Sequence, residues 1–264
     1  MAIALGCPWF DGIEDHPDVI AAVDFIETAG WRLDPEAGRP HQRVVLHNLD
    51  RDWSMAAVDA IDEAWPARLR EAIQTTRTPW FSMHLGFASE RVRFDGHMLP
   101  ESEPLERREL MTRLVEVTKE VRLHCPLQVL IENLDYCPEG AYEHICEPDF
   151  IAEVLEMTGA GLLFDLAHWR VSASWLGFDP VKALDWMPKQ RIVEVHLSSP
   201  RPLDDDSGRL DDRHDVLQQA DFDLLDAVLE RSRPRAVTIE YTHDPSLLLG
   251  QIDCVRTILE PYDA

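Results

Sequence analysis

Eight short runs of apolar and β-branched residues are spaced along the whole chain, each bounded by turn-forming residues: Ile3–Cys7, Asp24–Thr28, Arg43–His47, Trp80–His84, Leu127–Glu132, Gly161–Asp165, Arg191–His196 and Ala236–Glu240. Most are continuously apolar rather than alternating, the pattern of strands covered on both faces in a parallel sheet. Between them lie segments with helical periodicity: Met55–Thr75, Leu105–His124, Pro148–Met157, Pro180–Trp186, Phe222–Arg231 and Ser246–Leu259. Glu147-Pro148-Asp149 has the form of a helix start, because proline at a first helical position already has the required φ. Strand and helix alternating over the full length predict an α/β fold with a parallel sheet, and eight repeats let it close into a TIM-type (β/α)8 barrel. The second repeat is the least regular. Val19–Thr28 also reads as one helix and Ala29–Gln42 as loop, so a seven-stranded or an irregular barrel is the alternative.

A length of 264 residues suits one such barrel, so residues 1–264 are expected to form one domain. No stretch approaches the roughly 18 apolar residues of a membrane span. The opening MAIALGCPWF lacks the basic flank and small-residue cleavage site of a secretion signal and reads as a first strand, which implies a cytoplasmic protein. The 49 acids against 25 bases give a net charge of −24, which would repel nucleic acid and anionic membranes alike. The only lysines, Lys119, Lys182 and Lys189, fall outside the strands, leaving no obvious Schiff-base nucleophile. Five cysteines with no CxxC pair suit reduced thiols and argue against a cysteine-based zinc site.

In barrels of this kind chemistry sits at the C-terminal ends of the strands. Here six successive strands end in ionisable groups. Strand three ends in His47, strand four in His84 and strand five in Glu132-Asn133; strand six ends in Asp165, with His168 three residues on. Strand seven carries Glu194 and His196, which alternation points to the same side, and strand eight ends in Glu240 with His243 just beyond. The polar segment Ser198–Asp215, read as a long loop on the same face, adds Asp212 and His214. One histidine at a strand end is more often structural than a ligand, Asp165 alone reads as a helix N-cap, and a loop acid such as Asp212 is usually solvated. Crowding so many ionisable groups together without a cation would be costly, however, and that shifts the balance toward a metal centre. Imidazole and carboxylate without thiolate suit iron, manganese or zinc, and the number of ligands suits two or three ions. His16, His41, His97, His124 and His144 fall outside strand ends and read as surface residues.

The segments HLGFASE (84–90), IENLDY (131–136), GAGLLFDLAHW (159–169), VEVHLSSPR (193–201), DRHD (212–215) and TIEYTHD (238–244), with VDFIE (23–27), resemble the multinuclear non-heme iron-dependent oxidases that include the methanobactin-biosynthesis oxidase. The resemblance implies a barrel holding two or three irons, mixed ferrous and ferric, with dioxygen as co-substrate. The implied substrate is a cysteine in a ribosomally made peptide, presented by a small partner protein. It implies His47, His84, Glu132, Asp165, His168, His196, Asp212, His214 and Glu240 as ligands; Glu132 or Glu240 is the candidate bridging carboxylate, and Glu132, Glu240 and His243 are the candidate catalytic groups. The rival reading is a manganese- or zinc-dependent sugar isomerase, epimerase or endonuclease of the xylose-isomerase-like kind, with Glu132 and Glu240 as its acid–base pair. The acidic charge speaks against the endonuclease, and the lack of a glycine-rich phosphate loop after strands seven and eight weakens a sugar-phosphate substrate. A third reading is a binding protein whose metals are structural.

Overall fold

The computed structural model describes residues 2–33, 43–50, 53–57, 59–95 and 97–262. Twelve strands are found among them: β1 (Ala4–Pro8), β2 (Phe25–Thr28), β3 (Arg43–His47), β4 (Trp80–His84), β5 (Val92–Asp95), β6 (His97–Pro100), β7 (Gln128–Glu132), β8 (Gly161–Asp165), β9 (Ile192–Leu197), β10 (Ser199–Pro202), β11 (Leu210–Asp215) and β12 (Ala236–Ile239). Eight of them, in the order β1-β12-β9-β8-β7-β4-β3-β2, close into a barrel in which every pair is parallel. The expected eight-stranded barrel is therefore the fold, with strand limits within a residue or two of those read from the sequence.

The helices are α1 (Pro17–Ala22), α2 (Trp65–Thr76), α3 (Arg107–His124), α4 (Pro148–Thr158), α5 (Leu166–Leu176), α6 (Gln219–Leu229) and α7 (Pro245–Leu259). The ambiguous second repeat resolves into α1 followed by β2; of the loop read at Ala29–Gln42, residues 34–42 lie outside the described residues, as does His41. The helix read from Met55 begins instead at Trp65, where Asp62 Oδ1 accepts from the Ala64 and Trp65 backbone N–H groups and Pro66 follows in the first turn. Pro180–Trp186 contains only one 3₁₀ turn, Lys182–Asp185. The crossover helix of that repeat is α5, which periodicity alone did not mark. It starts directly off β8, with Asp165 as its N-cap accepting from His168 N at 2.7 Å, and stops at Gly177, whose φ of 77° is one that glycine tolerates.

Two apolar layers hold the barrel. Phe25, Val45, Trp80, Leu130, Leu163, Val193 and Ala236 fill its lower interior, and a larger layer lies between strands and helices, including Phe150, Ile151, Val154 and Leu155 at helical spacing on α4. Above the interior plug the lining turns polar. Glu194 receives hydrogen bonds from Trp80 Nε1 at 2.7 Å and Thr238 Oγ1 at 2.8 Å.

Two hairpins rise over the mouth. The segment read as the loop Ser198–Asp215 is the antiparallel pair β10–β11, pinned to α5 by Trp175 Nε1 to Leu210 O at 2.9 Å and Leu210 N to Ser174 Oγ at 3.0 Å. Across from it stands β5–β6, anchored by Ala141 N to Met98 O at 2.8 Å. No described helix is long and apolar enough to cross a membrane.

Gly6 tests the packing of the interior plug, since a β-carbon there would lie 2.3 Å from the Phe25 ring. Gly6→Ala is expected to lower stability by about 1–3 kcal/mol through overpacking. Equilibrium urea denaturation measures this, and an unchanged midpoint would show that the plug yields freely.

Candidate metal centre

Alternate residues of each barrel strand face inward, and the last inward position opens on the mouth. By that parity Phe25 carries Glu27 with it, Val45 carries His47, Leu130 carries Glu132, and Leu163 carries Asp165. His84 ends β4 in the same way, His196 is the last residue but one of β9, and Glu240 follows β12 directly. The remaining candidate residues ride on the crossovers. His168 is in the first turn of α5, and Asp212 and His214 stand two apart on β11.

These side chains gather into three adjoining groups at the mouth, and Glu27, Glu194 and His196 make a fourth, fully buried one that shares His196. In the first, Glu132 Oε2 lies 3.1 Å from His47 Nε2 and 3.4 Å from His84 Nε2. In the second, His196 Nδ1 lies 3.3 Å from Glu240 Oε2, 3.6 Å from Glu132 Oε1 and 4.0 Å from Asp165 Oδ2. In the third, Asp212 Oδ2 lies 3.2 Å from His214 Nδ1 and 3.8 Å from His168 Nε2. Within each group the potential donor atoms lie within 4.8 Å of one another. Glu132 turns one oxygen to the first group and the other to the second, while Glu240 Oε2, also 3.5 Å from His214 Nε2, spans the second and third.

Four buried atoms of these groups, Glu132 Oε2, Asp165 Oδ2, His196 Nδ1 and Glu240 Oε2, make no hydrogen bond. Asp165 Oδ2 and Glu240 Oε2 face His196 Nδ1 while Glu132 Oε2 faces His47 and His84, and carboxylate oxygens crowded in a desolvated pocket repel one another unless cations sit among them. The residues therefore fit a metal centre, and with imidazole and carboxylate donors and no thiolate they fit iron, manganese or zinc. Asp165 serves in two ways at once: Oδ1 caps α5, leaving Oδ2 for the centre.

Neighbouring groups set the histidine rings. His168 Nδ1 donates to the Asn133 carbonyl at 2.9 Å, which leaves Nε2 as the free lone pair toward Asp212. Asn133 is itself locked by two hydrogen bonds to the Asp165 backbone, at 2.8 and 2.9 Å. Ser82 Oγ gives its proton to Leu46 O and so accepts from His47 Nδ1, turning His47 Nε2 toward Glu132. Asn48, held in the left-handed region at φ 56°, accepts from His84 N and donates to His47 Nε2 at 2.7 Å. His214 has a φ of 44°, a conformation that costs a residue with a β-carbon about 1–3 kcal/mol and that concentrates at functional sites.

Burial and mutual charge move the protons of these groups. Burial would raise Glu132, but His47 and His84 outweigh it and hold the carboxyl well below its usual range. Burial dominates at Asp165, pushing it well above that range, and at His84, pushing the ring down to about 4. Burial would lower His214, but Glu240 and Asp212 outweigh it and hold the ring up to about 9.

All nine expected ligand residues thus meet at one mouth. His243 does not join them: it is exposed, with Nε2 3.5 Å from the Arg213 carbonyl and its ring edge-on to Tyr241 at 5.4 Å. His97, read as a surface residue, instead lines the cavity from β6. Glu27, Asn48 and Asp135 also belong to the site and were missed. Glu27 stands one residue before the end of β2, near the mouth like the other acids, a signal obscured by the helical reading of Val19–Thr28. Asn48 and Asp135 carry no sequence signal of their own. Above the groups opens a cavity of about 750 Å³, with Trp9, Trp31, Phe87, Phe94 and Tyr142 in its walls and Arg32 and Arg213 among its lining.

Residues 20–255 match the family described as the RiPP precursor modification enzymes MbnB/TglH/ChrH, and the chain belongs to that family. Among its relatives is a UPF0276 protein of Streptomyces avermitilis, 24% identical over 98% of this chain, of whose length the chain spans only 55%. A UPF0276 protein of Caulobacter vibrioides is 29% identical over 89% of the chain and 85% of the relative. In three dimensions the chain is similar to a D-tagatose 3-epimerase-like protein, with a TM-score of 0.70 and 15% identity over 98% of both chains, a likeness of fold.

A cation bound through His214 must displace the proton that this ring holds up to about pH 9. Zinc binding at the third group is therefore expected to weaken as pH falls below about 9 and to release protons. Calorimetry in two buffers of different ionisation heat counts them, and a buffer-independent heat at pH 7 contradicts the assignment.

Proposed function

We propose that this protein is a multinuclear non-heme iron oxidase that uses dioxygen to modify a cysteine in a ribosomally made peptide. The observation that carries the reading is the set of three contiguous histidine–carboxylate groups linked through Glu132 and Glu240, with four unsatisfied buried donor atoms at its centre, in a chain of the RiPP-modifying family. His47, His84 and Glu132 would hold one ion, Glu132, Asp165, His196 and Glu240 a second, and His168, Asp212 and His214 a third. Iron bound there supplies electrons to dioxygen and Lewis acidity toward a substrate thiolate.

The rest is done by the chain itself. Glu132 and Glu240 tie neighbouring positions together, so that groups binding separate ions keep a fixed register. The aromatic walls and the two hairpins exclude bulk water from the floor of the cavity. Half-exposed Trp31 and Phe94, both 46% accessible, offer apolar surface to a peptide at the entrance, where Arg32 and Arg213 provide positive charge in a chain of net charge −24. A peptide can lie across this opening, whereas a lone cysteine would leave much of it empty, and a small partner protein would have the open rim to present it.

His196→Ala and His214→Ala are each expected to lower the iron content of protein purified without oxygen and to abolish oxygen uptake with a cysteine-containing peptide. Elemental analysis and an oxygen electrode read the two effects. Full iron occupancy with undiminished uptake in both variants would remove the assignment, and stoichiometric zinc or manganese in place of iron in the wild type would favour the isomerase-like chemistry.

A further inference from the structure

His196 differs from the other histidines of the site in the partner that sets its ring. Where His168 leans on a backbone carbonyl and His47 on a hydroxyl, His196 Nε2 lies 2.9 Å from Glu27 Oε2, a carboxylate only 4% exposed on the adjoining side of the barrel. The ring is fully buried. A carboxylate accepts and does not donate, so Nε2 carries a proton, which leaves Nδ1 as the nitrogen available to a cation. Nδ1 is the atom that makes no hydrogen bond and faces Glu132, Asp165 and Glu240 at 3.3–4.0 Å. The second acid near Nε2, Glu194, lies 4.0 Å away and has its oxygens taken by Trp80 and Thr238, which leaves Glu27 as the carboxylate in hydrogen-bond contact.

We propose that Glu27 is a positioning residue for the central metal ion: its hydrogen bond from His196 Nε2–H selects the tautomer and orientation in which Nδ1 ligates. The role rests on the metal reading above and adds a residue outside the nine. The arrangement is a carboxylate–histidine–metal relay, in which the outer carboxylate raises the basicity of the ligating nitrogen and stops the ring from turning. Glu27 reaches this place because β2 pairs with β1 at Pro8↔Glu27 and with β3 at Glu27↔Val45, which sets its side chain at the inward position nearest the mouth.

Chelator competition on the whole protein loaded with zinc or with ferrous iron tests the proposal. Glu27→Ala is expected to weaken one metal equivalent about 10–100-fold and leave the others unchanged. Glu27→Gln, whose amide oxygen still accepts the bond without the charge, should restore part of that loss. In the zinc-loaded wild type with ¹⁵N-labelled histidine, His196 should show a solvent-protected proton on Nε2 and a metal-bound Nδ1. A proton on Nδ1, or a metal-bound Nε2 with Glu27 as a direct ligand, overturns the proposal, as does undiminished affinity for every equivalent in Glu27→Ala. A uniform loss of all equivalents with a lowered melting temperature of the metal-free protein would mean that Glu27 is only structural. A wild type that binds no metal removes the metal reading itself, an outcome distinct from variants that bind as well as the wild type does.

Discussion

The structure turns on an electrostatic imbalance at the top of the barrel. Glu132, Asp165 and Glu240 converge on His196 Nδ1 in a buried pocket, where Asp165 Oδ2, Glu240 Oε2 and His196 Nδ1 make no hydrogen bond, and neither does Glu132 Oε2, which turns to His47 and His84. Desolvated carboxylates in mutual contact are among the most costly arrangements a fold can hold, and a multivalent cation is the simplest agent that makes it favourable. The consequence spreads outward. Glu132 and Glu240 each have neighbours on a second side, so one ion in the centre brings a second and third within reach of the same carboxylates.

Such a centre needs a rigid frame, and the parallel barrel supplies one. Its strands are hydrogen-bonded on both sides, its lower interior is filled by Phe25, Trp80, Leu130 and their neighbours, and its last inward residues are held at fixed register. Ligands from the crossovers are held by other means. The hairpin β10–β11 is fastened to α5 through Trp175 and Ser174, and α5 is capped by Asp165, so a residue of the second group also orders the helix that carries His168 of the third. Around this runs a shell of amide, hydroxyl and carboxylate partners that turns one nitrogen of each of His47, His168 and His196 toward the centre. The aromatic walls and the two arginines line the cavity above it.

The barrel was legible in the amino-acid order because burial on both faces imposes continuous apolar runs, and a closed parallel sheet needs such runs in every strand. His47, His84, Glu132, Asp165, His196 and Glu240 were legible for a related reason: strand ends point at the mouth whatever the surrounding contacts. Asp212 and His214 could be found by their spacing, although the segment around them looked like loop because its polar residues face solvent on a two-stranded ribbon. Less was visible in Val19–Thr28, where a short helix runs almost directly into a four-residue strand and no periodicity is long enough to separate them. That ambiguity hid Glu27.

What the sequence determined by itself was the strand–helix rhythm, the supply of imidazoles and carboxylates at strand ends, and the acidic charge that disfavours nucleic acid. Tertiary structure alone decided how those donors divide into groups, which oxygens are shared, which ring nitrogens turn toward the centre, and that His97 lines the cavity while His243 does not. The physical reason is that periodicity constrains which face of an element a residue occupies, whereas hydrogen-bond partners and ångström-scale separations depend on strands far apart in the chain. Glu27 and His196, 169 positions apart, meet only because the barrel closes.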